Sequence, residues 1–62
     1  MKTTKEAVGW IASGAHLTAN RMQLFHAYLL CFGDFPDPSS STANVMESLI
    51  NFADGWHYAQ DI

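Results

Sequence analysis

The chain has 62 residues and a mass of 6.9 kDa, which allows one small domain over residues 1–62 and excludes a second. Its single cysteine, Cys31, excludes an internal disulfide, so a core of this size depends on a metal, a partner molecule or close packing. Six acids against three bases give a net charge of −3, which argues against nucleic acid as a partner. Between Ala7 and Gly33 only Arg21 is formally charged, so we expect another molecule to cover part of this surface.

The N-terminal half is predicted to form a long helix over about residues 4–32, continuous or kinked. Thr3 and Glu6 have the spacing of a capping box at its start, and Gly33 stands where a helix-ending glycine belongs. An apolar stripe at helical spacing keeps its phase past Gly14, which favours one helix over two. The alternative is a break near Gly14, because glycine weakens a helix interior.

The C-terminal half is predicted to contain a loop over residues 33–41 and a helix over about residues 42–58. The loop carries two prolines and a run of serines. The helix is expected to begin at Ser41 or Thr42, with Asn44 and Glu47 as a competing capping box. Gly55 could end it early and leave a tail to Ile62. Its aligned apolar residues are Val45, Leu49, Phe52 and Trp56.

These elements predict an all-α fold, a helical hairpin whose shorter helix packs antiparallel to the longer one. The segment Met22–Phe32 is apolar nearly all round, and one partner helix cannot cover it. We therefore expect a homodimer that forms a four-helix bundle. The alternative is a three-helix monomer in which residues 4–14 fold back over the hairpin.

The sequence predicts no metal, no cofactor and no catalytic residue. His16, His26, His57 and Cys31 lack the spacing that places zinc ligands on one helix face. Cys31 lies in the most apolar segment, where a thiol keeps a high pKa and is unreactive. The prediction is therefore that the protein is not an enzyme.

The expected function is a small cytoplasmic interaction module, an accessory or regulatory factor of the kind that phages and mobile elements encode. It would bind itself and a protein partner through an apolar-aromatic helical face. Arg21, on the apolar stripe, is expected either to reach solvent or to pair with Glu47 or Asp54, between helices of one chain or between two subunits. The candidate binding residues are Trp10, Arg21, Met22, Phe25, Tyr28, Leu29, Phe32, Trp56 and Tyr58.

Two other functions are considered. A peripheral membrane-binding helix is disfavoured because such helices are rich in Lys and Arg. A helix-turn-helix DNA reader is disfavoured because Asn20 and Gln23 stand where its second helix needs apolar residues. No run of about 18 apolar residues predicts a transmembrane helix.

Overall fold

A computed structural model describes residues 1–60 of the chain. This part is all-helical, as predicted, and contains α1 (Thr4–Ala12), a 3₁₀ turn (Ala15–Thr18), α2 (Arg21–Phe32) and α3 (Thr42–Gln60).

The prediction of one long helix over residues 4–32 is wrong, because the chain breaks between Ser13 and Asn20. Gly14 adopts the left-handed conformation with φ +84°, which a residue with a side chain adopts only with strain. After the 3₁₀ turn, Ala19 and Asn20 are extended, so α2 starts in a new direction. The alternative with a break near Gly14 describes the helix boundaries of this half.

Asn20 and Gln23 start α2 with a capping box. The Asn20 Oδ1 accepts the backbone N–H of Gln23 at 2.9 Å, and the Gln23 Oε1 accepts the backbone N–H of Asn20 at 2.9 Å. Both residues therefore satisfy N–H groups that the first turn of a helix leaves without partners.

Replacing Asn20 by alanine is expected to lower the free energy of unfolding by about 1 kcal/mol, because the cap acceptor is lost. Asn51→Ala is the matched control, since Asn51 is exposed within α3 and alanine is the better helix former. Urea unfolding followed by circular dichroism measures both variants. Equal losses in both variants would contradict the role of Asn20 as a cap.

The other helix ends follow local sequence signals. Thr3 caps α1 as predicted, since its Oγ1 accepts the Glu6 N–H at 3.2 Å, although the Glu6 carboxylate accepts the Thr3 hydroxyl at 3.4 Å and not the Thr3 N–H. Gly33 ends α2 with φ +81° and donates its N–H to Leu29 O at 2.9 Å. Ser41 caps α3 through the Asn44 N–H at 3.1 Å.

The C-terminal elements lie where they are predicted, over the 33–41 loop and α3 from Thr42. The helix continues through Gly55 to Gln60, so an early end at Gly55 is wrong. The remainder of the predicted tail, residues 61–62, lies outside the described residues.

α3 runs in the same direction along the molecule as α2. The Arg21 Nη1 donates to the Thr42 Oγ1 at 3.4 Å, which places the starts of the two helices together. Further along both helices, the rings of Phe32 and Phe52 lie 5.0 Å apart. The predicted antiparallel hairpin is therefore wrong, because the 33–41 loop returns along α2 before α3 begins.

α1 runs opposite to the other two helices and packs against both of them. At its start, the Thr4 hydroxyl donates to Leu30 O near the end of α2 at 2.6 Å. On the α3 side, Val8 and Trp56 line the same surface hollow. α1 thus covers one side of the α2–α3 pair, as the three-helix alternative expects.

The core lies between the three helices and is small. Each helix contributes its inner face, and the buried apolar residues are Ala7, Val8, Ile11, Leu24, Ala27, Val45, Leu49 and Ala53. From α2 the fully buried core residues are Leu24 and Ala27, and Phe25 and Tyr28 are half-buried and pack against this core. Met22 and Phe32, which are predicted to lie on the same stripe, are exposed.

Candidate protein interface

The side of α2 that faces away from the core is apolar. We define the α2 outer face by these residues, together with one aromatic residue of the following loop: Met22, Phe25, His26, Leu29, Phe32 and Phe35. Met22 is 83% exposed, Phe35 59% and Phe32 44%. Phe25 and Leu29 are half-buried, and Phe25 also packs against the core. Large apolar side chains as exposed as those of Met22 and Phe35, which line a common groove, are typical of an interaction site.

A groove of about 440 Å³ runs along the first half of this face. It is lined by four residues of α2 and one of the following loop: Arg21, Met22, Phe25, His26 and Phe35. Phe35 reaches the groove because the 33–41 loop lies along α2. The groove combines an apolar lining with one cation, which suits an apolar side chain that has a carboxylate close by.

Arg21 holds the loop against the start of α2. Its Nη2 donates to Pro38 O and to Ser40 O, both at 2.8 Å, and its guanidinium carbon lies 4.4 Å from the centre of the Phe25 ring. Within residues 1–60 its acceptors are two carbonyls and the Thr42 hydroxyl. The predicted pairing with Glu47 or Asp54 in the same chain is therefore wrong, and its charge faces no carboxylate there.

Comparison with protein-family models, curated proteins and solved structures gave no match. The geometry of the chain itself therefore carries the functional argument. Over residues 1–60, the helices are too short or too polar to cross a membrane.

A row of aromatic rings joins the end of α2 to α3. The ring centres of Tyr28 and Phe32 lie 4.4 Å apart, and those of Phe52 and Trp56 lie 6.2 Å apart. Phe32 connects the two pairs, since it packs against Phe52. Tyr28 and Trp56 are half-buried, so they stabilise the α2–α3 contact, and Phe32 also reaches the outer face.

Trp10 packs at the edge of the core, so the structure does not bring it to the α2 outer face. Its ring lies 6.4 Å from that of His16, edge to face. His16 is buried, and its Nδ1 has no hydrogen-bond partner among the described residues. Trp10 is therefore a packing residue next to the break between α1 and α2, and not part of the α2 outer face.

Trp56 and Tyr58 differ in exposure although they are two residues apart. Tyr58 is exposed, and Trp56 lines a hollow of about 400 Å³. The other walls of this hollow come from α1 and the end of α3, and they are Lys5, Val8, Gly9 and His57. The hollow is separate from the α2 outer face in its lining residues.

Gly9→Ala is expected to raise the free energy of unfolding by about 0.5–1 kcal/mol, because glycine is the poorer helix former. Gly9 lies within α1, and a Cβ at this position would meet nothing within 4 Å. Gly14→Ala is the matched control and should destabilise, since its φ of +84° strains any side chain. Thermal unfolding of both variants checks the opposite signs.

Cys31 and the acidic and imidazole side chains are the groups that could react or bind a metal ion. Burial raises the pKa of the Cys31 thiol, which reduces the thiolate fraction at neutral pH. Over the described residues no three His, Cys, Asp or Glu side chains come together where they could hold a metal ion.

Sequence reasoning missed two contributors to the face, His26 and Phe35. His26 interrupts an apolar segment, and its spacing from the other histidines and Cys31 disfavours a metal site, but the sequence does not single it out as part of a binding face between Met22 and Leu29. Phe35 lies in a proline-rich loop that was treated only as a connection. An aromatic residue inside such a polar loop is the signal that could have drawn attention to it.

Proposed function

We propose that the chain is a non-enzymatic protein–protein interaction module, a small accessory or regulatory factor that binds itself and a protein partner through the α2 outer face. The observation that carries this proposal is the exposure of Met22 and Phe35 beside a helix whose opposite side already fills the core. α2 therefore has a second apolar side that residues 1–60 cover only in part.

The charges around this face favour a protein over a membrane surface. Helices that lie in a membrane interface usually carry many Lys and Arg residues on their polar side. α2 carries only Arg21, and two N–H groups of its guanidinium are already bound to loop carbonyls. A largely uncharged aromatic surface with a single arginine has instead the composition of a protein interface centre.

The groove gives the face a shape that can select a partner. Binding energy at protein interfaces is concentrated where an apolar anchor enters a pocket. Phe25 and Phe35 form such a pocket with Met22, whose flexible side chain can adapt to different anchors. We expect the partner to present an apolar side chain there.

The test is photo-crosslinking in the cells that make the protein, with benzoylphenylalanine replacing Met22. The matched control replaces Asn51, which is exposed on α3. We expect discrete adducts from position 22 and few from position 51, and mass spectrometry separates adducts with a second copy from adducts with another protein. Equal labelling from both positions would contradict a binding role for the α2 outer face.

A further inference from the structure

We propose that the α2 outer face binds the same face of a second copy of the chain, with the two α2 helices antiparallel. This inference rests on the proposed function and names one partner for that surface. It differs from the dimer expected from the sequence, because α1 and α3 already cover the other sides of α2.

The spacing of the apolar residues is self-complementary. Met22, Phe25, Leu29 and Phe32 follow one another at intervals of three, four and three, which read the same in both directions along the helix. These are the alternating positions of a coiled-coil seam. In an antiparallel pair, Met22 would therefore lie opposite Phe32 of the partner subunit, and Phe25 opposite Leu29 of the partner subunit.

In the same antiparallel pair, the positive charge at the start of α2 lies near the negative charge that follows the end of α2 in the partner subunit. Arg21 begins α2 and still has two N–H groups without an acceptor in residues 1–60. The exposed Asp34 follows the end of α2, and its Oδ1 accepts the Phe35 N–H at 2.8 Å, whereas its Oδ2 has no hydrogen-bond donor within residues 1–60. The antiparallel register brings Arg21 close to Asp34 of the partner subunit twice, whereas a parallel pair would place like charges together.

The length of α2 sets the expected affinity. Its 12 residues extend over about 18 Å, so one helix pair with the neighbouring Phe35 makes an interface at the small end of specific complexes. We therefore expect a dimer that dissociates on dilution. Sedimentation or light scattering over a wide concentration series should show the mass move between 6.9 kDa and twice that value.

Charge reversal tests the end contacts. Asp34→Arg is expected to raise the dimer Kd about tenfold, because two attractive pairs become repulsive. Asp54→Arg is the matched control: it makes the same change of net charge at an exposed α3 position and should leave the Kd unchanged. Asp34→Asn removes only the charge, because the amide oxygen can still accept the Phe35 N–H. It should weaken the dimer less than Asp34→Arg.

Disulfide cross-linking tests the direction of the helices, in a Cys31→Ala background. In the proposed register, a cysteine at position 26 lies about 3 Å along the axis from its mate, and one at position 22 about 15 Å away. We expect His26→Cys to form disulfide dimers readily and Met22→Cys to form few. Both positions are exposed, so neither substitution should prevent folding.

The outcomes separate this inference from the proposed function. A chain that stays monomeric at every concentration, or that cross-links as well at position 22 as at position 26, overturns the antiparallel dimer. If photo-crosslinking from position 22 still yields another protein in that case, the proposed function stands without self-association. The absence of any adduct from position 22 would overturn both.

Discussion

Leu24→Ala is expected to lower the free energy of unfolding by about 2–5 kcal/mol, the range for removing a fully buried leucine side chain. Leu24 has no exposed surface and lies where α2 meets the core. A domain of this size has about 3–5 kcal/mol of stability to lose. Much of the Leu24→Ala protein should therefore be unfolded at ordinary temperature.

The matched control for this prediction is Met22→Ala in the same helix, which removes the same number of side-chain heavy atoms. Met22 is 83% exposed, so its loss should change the free energy of unfolding little in the monomer. Urea unfolding at low protein concentration measures both variants. A larger loss for Met22→Ala than for Leu24→Ala would mean that the helix is rotated and that the stripe, not Leu24, faces the core.

Arg21→Met is expected to lower the free energy of unfolding by about 1–2 kcal/mol, because charged hydrogen bonds to Pro38 O and Ser40 O are lost. This expected loss is at the lower end of the range for charged hydrogen bonds, because Arg21 is exposed and water can bind the two carbonyls once the guanidinium is removed. Methionine keeps the apolar stem that packs near Phe25. The change therefore isolates the guanidinium.

Hydrogen exchange locates the effect of Arg21→Met. We expect faster exchange in the loop after Pro38 and in the first turn of α3, with little change in α1. Lys2→Met is the control, because it removes a positive charge from an exposed position near the start of the chain. Uniformly faster exchange along the whole chain would contradict a local clamp.

The features that the sequence predicts correctly are those set by neighbouring residues. Thr3 as a cap, Gly33 at a helix end and the Pro- and Ser-rich loop before Thr42 depend on interactions within a few residues. The polar side of α3 follows from its 3.6-residue period, and Glu47 and Asp54 on this side are exposed. Local physics is sufficient for these elements.

The break after α1 had a local signal that was outweighed by the stripe. Apolar residues at helical spacing can continue across a turn by coincidence. The stripe therefore does not show that residues 4–32 form one helix. Asn20 followed by Gln23 and then an apolar run is the usual signature of a helix start. Read together with Gly14, it would have indicated two helices.

The orientation of α2 and the direction of α3 could not be predicted from local patterns. α2 is apolar nearly all round, so only packing against α1 and α3 decides that Leu24 faces inward and Met22 outward. A fully extended loop of the length of 33–41 spans about 30 Å, longer than α2, so both directions of α3 are sterically possible. The carbonyl acceptors of Arg21 fix one direction, and backbone acceptors leave no trace in side-chain patterns.

The sequence predicts that α2 has an apolar surface, but not which of its residues face the core. Met22, Phe25, Leu29 and Phe32 were named because a wide apolar segment exceeds what one small core can cover. Trp10, Phe25, Tyr28 and Trp56 are all half-buried and pack against the core, although Phe25 also lines the groove. Residue type and period identify apolar surface, whereas the choice between core and interface depends on the arrangement of the three helices.

The return of the 33–41 loop along α2 has a consequence for the order of folding. Helices α1 and α2 are joined by a short turn, so their contacts close a small loop and can form early. α3 can dock in its native direction only after the connection has crossed the length of α2. The rate-limiting step is then expected to be the docking of α3, so core substitutions in Val45 or Leu49 should accelerate unfolding more than they slow refolding.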